Sequence, residues 1–397
     1  MANFECPVVR LNIRPHPDAD ALEVAQVGAF QCVVGKGLYD DGDLAVYIPE
    51  GALVPADVLA RLDLTDRLAG KDKNRVKAIK LRGVLSQGIT YPVDLSLASD
   101  NPDVGVLHLP VPSDPNQIPE AEIVTLGQDV SEVLGVTKWI PPIPSHMAGE
   151  VYFTGLEKTV RYDIENWKKF PGATDQIISE GVDVTFTEKL HGTWTLFGLF
   201  RNDDGTYDRI ISSKGHSHDG IAFKLDSDAN QNNLYVRTAN QLDFWTKLEK
   251  NSALSILQPG QGVFVMGETF GGGVQSGFGY GADATKGNIG FRIFDIMQRD
   301  NNTGVDTYLG YDDLQLEADL LGVSLVPVLY RGPFSYDLLD EHTKGLETVS
   351  GQESHMREGV VITPVTEMRY DDLGRLKLKS VSEQYLLRKD KNATEYS

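Results

Sequence analysis

Short segments in which apolar and polar residues alternate recur through the first third of the chain. Such alternation is typical of β-strands with one buried face, and the glycines and aspartates between the segments supply turns. Short, closely spaced strands favour a small barrel, because a sheet that closes on itself leaves no exposed edge. The predicted strands lie within residues 8–13, 23–27, 31–34 and 44–49.

A second region with predicted strands begins after residue 150. The β-branched, alternating segment Val182–Phe186 predicts a half-buried strand, so Lys189 falls where that strand gives way to a turn containing glycine. Near the end of the chain, Lys377 and Lys379 are two residues apart in another predicted strand, which directs both side chains to one face. These lysines are therefore expected to be held by ordered strands.

Two proline-rich segments are predicted to interrupt regular structure. They cover residues 101–119 and residues 141–144. The second segment is the predicted boundary between a first domain, residues 1–140, and a second domain, residues 150–397.

The composition is that of an ordinary globular protein. At 397 residues the chain is long enough for two domains, and 41% of its residues are hydrophobic and 24% charged. The amino terminus lacks a basic segment followed by an apolar run, and no stretch reaches about 18 apolar residues, so neither export nor a membrane span is expected. Cys6 and Cys32 are too few for a disulfide framework, which favours a reducing cytoplasm.

The charge is unevenly distributed. A net charge of -20 argues against a nucleic-acid partner for the chain as a whole. However, the segment Arg67–Arg82 holds seven basic residues and one acidic residue, a local surplus that indicates either a solvated face or a nucleic-acid contact. The candidate nucleic-acid contacts are Arg75, Lys77, Lys80 and Arg82.

Lys189 gains significance from four further segments. A match to Lys-x-(Asp or His)-Gly should occur by chance in roughly one chain of this size in ten. Together with the segment around Lys189, the five segments are Phe186–Trp194, Gly267–Gly271, Phe291–Ile296, Arg357–Ile362 and Leu376–Ser380. Taken in order, they resemble the nucleotidyl-transfer motifs of the covalent nucleotidyltransferases, which are DNA ligases, RNA ligases and mRNA capping enzymes. Within that superfamily, Glu188–Thr193 is most similar to the nick-sealing RNA ligases.

Two segments of the first domain carry resemblances of their own. His16–Leu22 resembles the start of OB-type tRNA-binding domains, and Val76–Gly88 resembles part of the amino-terminal OB domain of one RNA ligase branch. OB barrels bind single strands and ends through basic grooves. The expected fold is α+β, with an amino-terminal OB-like β-barrel followed by an antiparallel-sheet nucleotidyltransferase domain.

The resemblance implies a role for each motif. Lys189 would attack the α-phosphorus of ATP and form a lysine-AMP phosphoramidate, and Lys377 and Lys379 would contact the α-phosphate. A lysine is a nucleophile only when its amine is neutral, which nearby positive charge favours. A charged, solvated strand face is the alternative for both late lysines. The cofactor-binding residues implied around the nucleophile are Glu188, Leu190, His191, Gly192 and Lys214.

The remaining motifs imply contacts to ribose, base and metal. Glu268 would hold the ribose hydroxyls, and Glu358 would organise metal-bound water or the nucleophile. Phe294 would stack on adenine, with Phe291 as a second candidate and Asp295 pointing the other way. Surface glutamates and a core phenylalanine are the alternatives.

Two positions depart from the family pattern. Trp194 stands where the similar RNA ligases usually have Asn, and Lys214 stands where an Arg is usual. Lysine keeps the charge but lacks the two-pronged grip of arginine on phosphate. Binding of the 5′-phosphate end is therefore expected to differ.

Two other segments suggest chemistry only weakly. The glycine-rich segment 271–281 lacks the Gly-Lys-Ser/Thr ending of a phosphate-binding loop and is predicted to be a mobile loop. His216 and His218 are predicted to be exposed turn residues rather than metal ligands.

Together these features predict an ATP-dependent RNA ligase that requires Mg²⁺ or Mn²⁺. Its expected substrate is RNA, or a duplex containing RNA, with 5′-phosphate and 3′-OH ends, and a monomer is expected. Two alternatives stay open. One is a DNA-joining enzyme of the same superfamily, and the other is an OB-containing nucleic-acid-binding protein that has lost activity.

Overall fold

The computed structural model describes residues 4–95, 101–110, 120–139, 148–214, 220–251, 256–371 and 373–388. The predicted boundary at residues 141–144 and the two histidines at 216 and 218 lie outside these ranges. The described residues form two compact units. The amino-terminal unit draws on residues 1–141, 165–171 and 386–397, and the carboxy-terminal unit on residues 142–164 and 172–385.

The amino-terminal unit is built from short strands and the helix Ala56–Arg61. All four predicted strand segments are confirmed, although the first is divided in two at Leu11, which is buried. The strands are β1 (Val8–Arg10), β2 (Asn12–Pro15), β3 (Leu22–Val27), β4 (Phe30–Gly35), β5 (Leu44–Ile48), β6 (Ala52–Leu53), β7 (Ile79–Leu81), β8 (Val84–Ser86), β9 (Ile89–Pro92), β10 (Asp94–Leu95), β11 (Val104–His108), β12 (Ala121–Thr125), β13 (Thr137–Lys138) and β15 (Glu165–Asn166).

The proline-rich segment 101–119 is more regular than predicted. β11 lies inside it and pairs antiparallel with β12 over five residue pairs. The prediction was wrong for Val104–His108 because these five residues contain no proline, so each main-chain N–H is free to join a ladder. Leu107 is fully buried in the core of the unit.

The basic segment ends in a hairpin, and its basic residues have different surroundings. Arg82 and Gly83 join β7 to β8 and have positive φ angles of 48° and 87°, as a two-residue type I′ turn requires. Lys80 and Arg82 are exposed on this hairpin. Arg75 is only 5% exposed, and its guanidinium lies 4.1 Å from the ring centre of Trp139. The prediction that Arg75 contacts nucleic acid does not fit this buried position.

The carboxy-terminal unit contains most of the helices and the longest strands. Its strands are β14 (Val151–Thr154), β16 (Asp183–Lys189), β17 (Thr193–Arg201), β18 (Tyr207–Ser213), β19 (Ile221–Phe223), β20 (Gln261–Phe270), β21 (Gly290–Asp300), β22 (Val305–Tyr308), β23 (Val328–Pro333), β24 (Gly359–Pro364), β25 (Arg369–Tyr370), β26 (Gly374–Arg375) and β27 (Leu378–Val381). Helices are found at Pro171–Glu180, Leu234–Leu242, Phe244–Lys250, Tyr311–Leu321, Tyr336–Thr343 and Glu383–Leu386.

Among the described residues, seven strands form one sheet in the order β14-β19-β18-β17-β20-β21-β22. Both faces of its centre are buried. Along β17, Phe197 and Leu199 join a core shared with the helices at 234–242 and 244–250, whereas Leu196 and Phe200 join a second core on the other face. Strands β20 and β21 are neighbours in this sheet, and each carries one of the predicted motifs.

A second antiparallel arrangement runs in the order β27-β24-β16-β23. Its register pairs Lys189 with Gly359 and pairs Thr187 with Val361, whose other neighbour is Lys379. The first, fourth and last predicted motifs therefore lie on three neighbouring strands, with β24 between β16 and β27. None of the helices in the described part of the chain has the length and hydropathy of a membrane-spanning segment.

Replacing Arg75 tests whether this arginine has a structural role. We expect Arg75→Met to lower the free energy of unfolding by about 1–2 kcal/mol, because a desolvated cation–π contact is worth about that much. Urea unfolding followed by tryptophan fluorescence measures the change. Arg82→Met on the exposed hairpin is the matched control and should change stability by less than about 0.5 kcal/mol. Equal losses in both variants would contradict the assignment.

Candidate active site

The centre of the site is an ion pair between adjacent strands. Lys189 is the last residue of β16, and Glu358 immediately precedes β24. The register opposes Lys189 to Gly359, and the Nζ of Lys189 lies 2.5 Å from Oε1 of Glu358. Gly359 is required there, because a Cβ would lie 2.0 Å from the carbonyl oxygen of Ser380. The sheet thus brings the predicted nucleophile and the predicted metal-organising carboxylate into contact.

The Glu358 carboxylate is anionic at neutral pH. Burial works against its ionised form, but the favourable contacts of the carboxylate, above all the one with the ammonium of Lys189, lower the pKa of Glu358 to about 2. Nδ1 of His191 lies 3.5 Å from Oε2 of Glu358. A carboxyl with so low a pKa is a poor proton acceptor, so it is suited to orienting an amine or binding a cation.

Glu268 lies beside the same turn and has the opposite character. Burial, together with the nearby charge of Glu358, raises the pKa of Glu268 to about 8 despite the opposing effect of Lys189 and a hydrogen bond from the main-chain N–H of Gly192. Gly192 fits because a Cβ at that position would lie 2.2 Å from the carbonyl oxygen of Thr269. At pH 7 the Glu268 carboxyl is therefore mostly neutral and can both donate and accept hydrogen bonds.

The late lysines share a sheet face with Lys189. Thr187 and Lys189 point the same way along β16, and Lys379 reaches that face through the row Thr187, Val361, Lys379. Lys377 precedes β27, and its Nζ donates to Oδ2 of Asp295 at 2.8 Å. The spacing of the two lysines did not predict the buried anion that holds Lys377.

A β-bulge in β21 sets the direction of the side chains in the motif Phe291–Ile296. Opposite Met266 and Gly267, the register shifts between Asp295 and Ile293, so Phe294 is the extra residue. One inserted residue reverses which side chains face each way. Phe294 and Asp295 consequently line the same cavity, so the prediction that Asp295 points away from Phe294 was wrong.

The two aromatic candidates lie on opposite faces of β21, because they are three residues apart along the strand. Phe294 is partly buried, lines the cavity with Thr187 and Lys377, and lies 5.2 Å from the ring of Tyr162. Phe291 is 7% exposed and packs in the opposite core, 5.1 Å from the ring of Phe197. Phe294 is accordingly the better placed of the two for stacking on a base.

Asp295 is the hub of a buried charge cluster. Its carboxylate accepts hydrogen bonds from Tyr162 at 2.5 Å and from Lys377 at 2.8 Å, and it pairs with Arg375. Although burial opposes ionisation, Lys377 and Arg375 hold the pKa of Asp295 below its usual value. Burial in turn lowers the pKa of Lys377, with the charge of Asp295 opposing this shift. The cluster fixes the position of a lysine that sequence reasoning assigned to phosphate.

Two predicted cofactor contacts face away from this cavity. Glu188 is buried, and its Oε2 accepts hydrogen bonds from the main-chain N–H of Thr348 at 2.9 Å and from its hydroxyl at 2.6 Å. Its neighbour Leu190 is also buried, with 4% exposure. Strand alternation puts both on the opposite face from Lys189, so neither side chain is placed for the predicted contact.

The two departures from the family pattern lie near Glu268. Trp194 is directly opposite Glu268 in the β17–β20 pair. Nζ of Lys214 lies 2.6 Å from Oδ1 of Asp163, and the side chain is 60% exposed. A carboxylate thus anchors the lysine that stands in place of the usual arginine.

The glycine-rich segment 271–281 packs onto the nucleophile motif. Phe278 lies 4.4 Å from the ring of His191, and the hydroxyl of Tyr280 accepts the main-chain N–H of His191 at 2.8 Å. Gln275 donates to the carbonyl of Gly192 at 3.2 Å. Phe278 and Tyr280 are both buried, which does not fit the prediction of a freely mobile loop.

Several site residues escaped sequence reasoning. Val361 faces the cavity side between Thr187 and Lys379, and a nonpolar residue in a strand carries no signal of its own. Asp295 and Tyr280 act through contacts that depend on a bulge and on a loop. Arg375 was close to the last motif, but a salt bridge to β21 could not be read from spacing.

The donor set suits a hard divalent cation held mainly by phosphates. No group of three or more His, Cys, Asp or Glu side chains among the described residues could hold a metal ion by itself. Glu358 supplies one anionic carboxylate. Glu268 supplies a second carboxyl group close enough for the charge of Glu358 to raise its pKa. Mg²⁺ is usually bound by one or two carboxylates together with substrate phosphates, so the residues present fit that group.

Comparison with known proteins identifies both parts of the chain. A family model described as RNA ligase matches residues 182–380, and a model described as an OB-fold domain matches residues 8–93. Comparison with curated proteins gives no match.

Solved structures of an RNA ligase from Naegleria gruberi are similar over nearly the whole chain. One mutant with AMP and Mn has a TM-score of 0.70 at 20% identity and covers 97% of this chain and 98% of that chain. Another mutant with ATP and Mn has a TM-score of 0.70 at 20% identity, covering 96% and 98%. A third structure, with PPi, has a TM-score of 0.68 at 21% identity, covering 97% and 98%. These similarities support the fold of an OB domain followed by a sheet-rich domain.

The raised pKa of Glu268 predicts how stability depends on pH. The folded protein keeps a proton on Glu268 up to about pH 8, whereas an unperturbed glutamate releases it near pH 4.5, so stability from this group falls as the pH rises through that window. We expect the melting temperature of Glu268→Gln to fall less than that of the wild type when the pH is raised from about 5 to about 9. Differential scanning calorimetry measures both, and the exposed Glu180→Gln is the control. A wild-type pH profile retained in Glu268→Gln would refute the shift.

Proposed function

Because this chain belongs to the RNA ligase family, an enzyme family that joins RNA ends, we propose that it seals 3′-OH/5′-phosphate ends through a lysyl-AMP on Lys189. The observation that carries the proposal is the contact between Lys189 and the buried Glu358, on a sheet face shared with Lys379. ATP is the nucleotide that suits this chemistry, and the similar ligase structures were solved with ATP and Mn.

In the first step the Nζ of Lys189, once neutral, attacks the α-phosphorus of ATP. An N–P bond forms, the bond from that phosphorus to the bridging oxygen breaks, and pyrophosphate leaves with the electron pair of that bond, while the two protons that Nζ loses pass to solvent. Glu358 orients the amine through its 2.5 Å contact rather than serving as the base, since a pKa of about 2 leaves it a weak acceptor. A bound Mg²⁺ or Mn²⁺ supplies charge neutralisation of the phosphates.

The remaining residues bind and orient the nucleotide. We assign Glu268, largely neutral at pH 7, to the ribose hydroxyls, and Phe294 to the base. Lys379 and Lys377 are assigned to the α-phosphate, with Asp295 fixing Lys377 in place. Preorganised charges of this kind stabilise negative charge that develops on a transferring phosphoryl group.

Two further steps complete sealing. An oxygen of the RNA 5′-phosphate attacks the phosphorus of lysyl-AMP, the P–N bond breaks, and AMP is transferred to the end. The 3′-hydroxyl then loses its proton to solvent and attacks the 5′-phosphorus. A phosphodiester bond forms, the bond from that phosphorus to the oxygen that links it to AMP breaks, and AMP leaves. Lys214, anchored by Asp163, is our candidate for contacting the 5′-phosphate.

The amino-terminal unit is proposed to contact the RNA. The β7–β8 hairpin exposes Lys80 and Arg82, with Lys77 at its base, which gives a positive patch on an otherwise acidic chain. We propose a division into an RNA-binding domain of residues 1–140 and an adenylation domain of residues 150–397. We further propose that the protein is cytoplasmic, since Cys6 and Cys32 are unpaired and buried, as suits a reducing compartment. We also propose that it is a monomer.

The adenylation assay tests the proposed nucleophile. The wild type incubated with α-labelled ATP and Mg²⁺ should carry a covalent label on a denaturing gel, and Lys189→Ala should carry none, a loss of at least about a thousandfold as expected for removing a nucleophile. Lys36→Ala, at an exposed lysine of the amino-terminal unit, is the matched control and should label normally. A labelled Lys189→Ala protein, or an unlabelled wild type, would reject the mechanism; the second result would favour a binding protein without activity.

A nicked duplex distinguishes RNA joining from DNA joining. We expect faster sealing, by about tenfold or more, when the nucleotide carrying the 3′-OH is a ribonucleotide than when it is a deoxyribonucleotide, because the 2′-OH is the group by which a protein tells RNA from DNA. Single-turnover sealing of two otherwise identical nicks measures the ratio. Equal rates, or a preference for the deoxyribonucleotide, would favour the DNA-joining alternative.

A further inference from the structure

Tyr385 contacts the nucleophile motif from the far end of the chain. It lies on the helix Glu383–Leu386, and its hydroxyl is 2.8 Å from Nδ1 of His191. The two residues are 194 positions apart in sequence. Neither the sequence motifs nor the proposed chemistry assigns a role to this tyrosine.

The main chain that carries Glu358 also fixes the position of Tyr385. The N–H of Ser382 donates to the carbonyl of Glu358 at 2.8 Å, and its hydroxyl donates to the carbonyl of Arg357 at 3.0 Å. The same hydroxyl accepts the N–H of Tyr385 at 3.2 Å. Tyr385 and Glu358 are therefore held by one set of hydrogen bonds.

Packing holds the imidazole between them. The ring of Phe278 lies 4.4 Å from that of His191 and 5.8 Å from that of Tyr385. The main-chain N–H of His191 is bound by Tyr280 at 2.8 Å. The ring and the main chain of His191 are thus both restrained. Its Nδ1 therefore forms a hydrogen bond with whichever of Tyr385 and Glu358 lies closer.

Nδ1 of His191 has two polar neighbours and can form a hydrogen bond of good geometry with only one of them. Its distance to the Tyr385 hydroxyl, 2.8 Å, is that of a hydrogen bond, whereas its distance to Oε2 of Glu358, 3.5 Å, is too long. Oε1 of Glu358 is bound by Lys189. Oε2 is buried and has no hydrogen-bond partner in the part of the chain that the structure describes.

We propose that Tyr385 is a positioning residue that donates its hydroxyl to Nδ1 of His191 and so keeps the imidazole from binding Glu358. This leaves Oε2 of Glu358 for the divalent cation that accompanies ATP, and it places the imidazole proton on Nε2. Without the hydroxyl, a shift of about half an ångström would bring Nδ1 within hydrogen-bonding distance of Oε2. The inference rests on the proposed function, because it assumes that Glu358 serves the metal.

Tyr385→Phe removes the hydroxyl and keeps the ring. We expect the Mn²⁺ concentration for half-maximal lysyl-AMP formation to rise about tenfold, which corresponds to the roughly 1.4 kcal/mol of one hydrogen bond. Binding of Mn²⁺ to the complex with a non-hydrolysable ATP analogue, measured from free Mn²⁺ by electron paramagnetic resonance, should weaken to the same extent. Tyr91→Phe is the matched control, since it removes a hydroxyl that donates to the carbonyl of His108 at 2.6 Å in the amino-terminal unit.

A double variant tests whether Tyr385 acts through His191. In a His191→Ala background, adding Tyr385→Phe should leave Mn²⁺ binding unchanged, because the competing imidazole is already gone. Additive losses would overturn the proposal, as would unchanged Mn²⁺ binding in the single Tyr385→Phe variant.

The wild type gives a direct test of the position of the imidazole proton. Nitrogen-15 spectra of the histidines, with the His191 signals assigned by their absence in His191→Ala, should show Nδ1 unprotonated and Nε2 protonated. A proton on Nδ1 would overturn the inference even if lysyl-AMP forms normally. A wild type that forms no lysyl-AMP would instead overturn the proposed function, so the two failures are distinguishable.

Discussion

The ion pair between Lys189 and Glu358 is the constraint on which the site depends. It joins the end of one strand to the start of its neighbour, so its geometry is set by a sheet register rather than by flexible side chains. Removing two charges from water is costly, and the cost is offset only where geometry and further contacts are good. Here the amine meets the carboxylate at 2.5 Å, and Gly359 allows β24 to lie close to the carbonyl oxygen of Ser380, which leaves a reactive amine in one defined position.

Two glutamates near that amine behave in opposite ways, and the difference divides their tasks. Glu358, paired with a cation, has a pKa of about 2 and stays anionic, whereas the half-buried Glu268 has a pKa of about 8 and is mostly neutral at pH 7. The anion is suited to amine and metal, and the neutral carboxyl to hydroxyl groups. Environment rather than residue type makes this distinction, since both are glutamates beside a glycine.

A third carboxylate, that of Asp295, fixes the position of Lys377 at the cavity. Asp295 accepts hydrogen bonds from Lys377 and Tyr162 and pairs with Arg375, so a buried negative charge holds a buried positive one at a fixed place. Such preorganisation avoids reorienting charges when a phosphate arrives. The β-bulge at Phe294 makes the arrangement possible by turning the aspartate toward the cavity.

Much of this protein could be predicted from its sequence, because local pattern and residue chemistry carry the information. The strands of the first domain follow from alternation, Lys189 follows from a strand that ends at a turn, and the order of five motifs indicates the ligase family. The strands and the turn depend on neighbours within a few residues, and each motif is itself a short local segment, so the sequence shows them directly.

Only the tertiary structure decided the features that rest on distant neighbours. The bulge at Phe294 reverses side-chain direction by one residue, Arg75 turns inward to meet Trp139, and Tyr385 reaches His191 across 194 positions. A strand pattern does not reveal an inserted residue, and a basic run does not reveal which of its members finds an aromatic ring. These outcomes depend on which segments the fold brings into contact, because burial and register arise only when the whole sheet assembles.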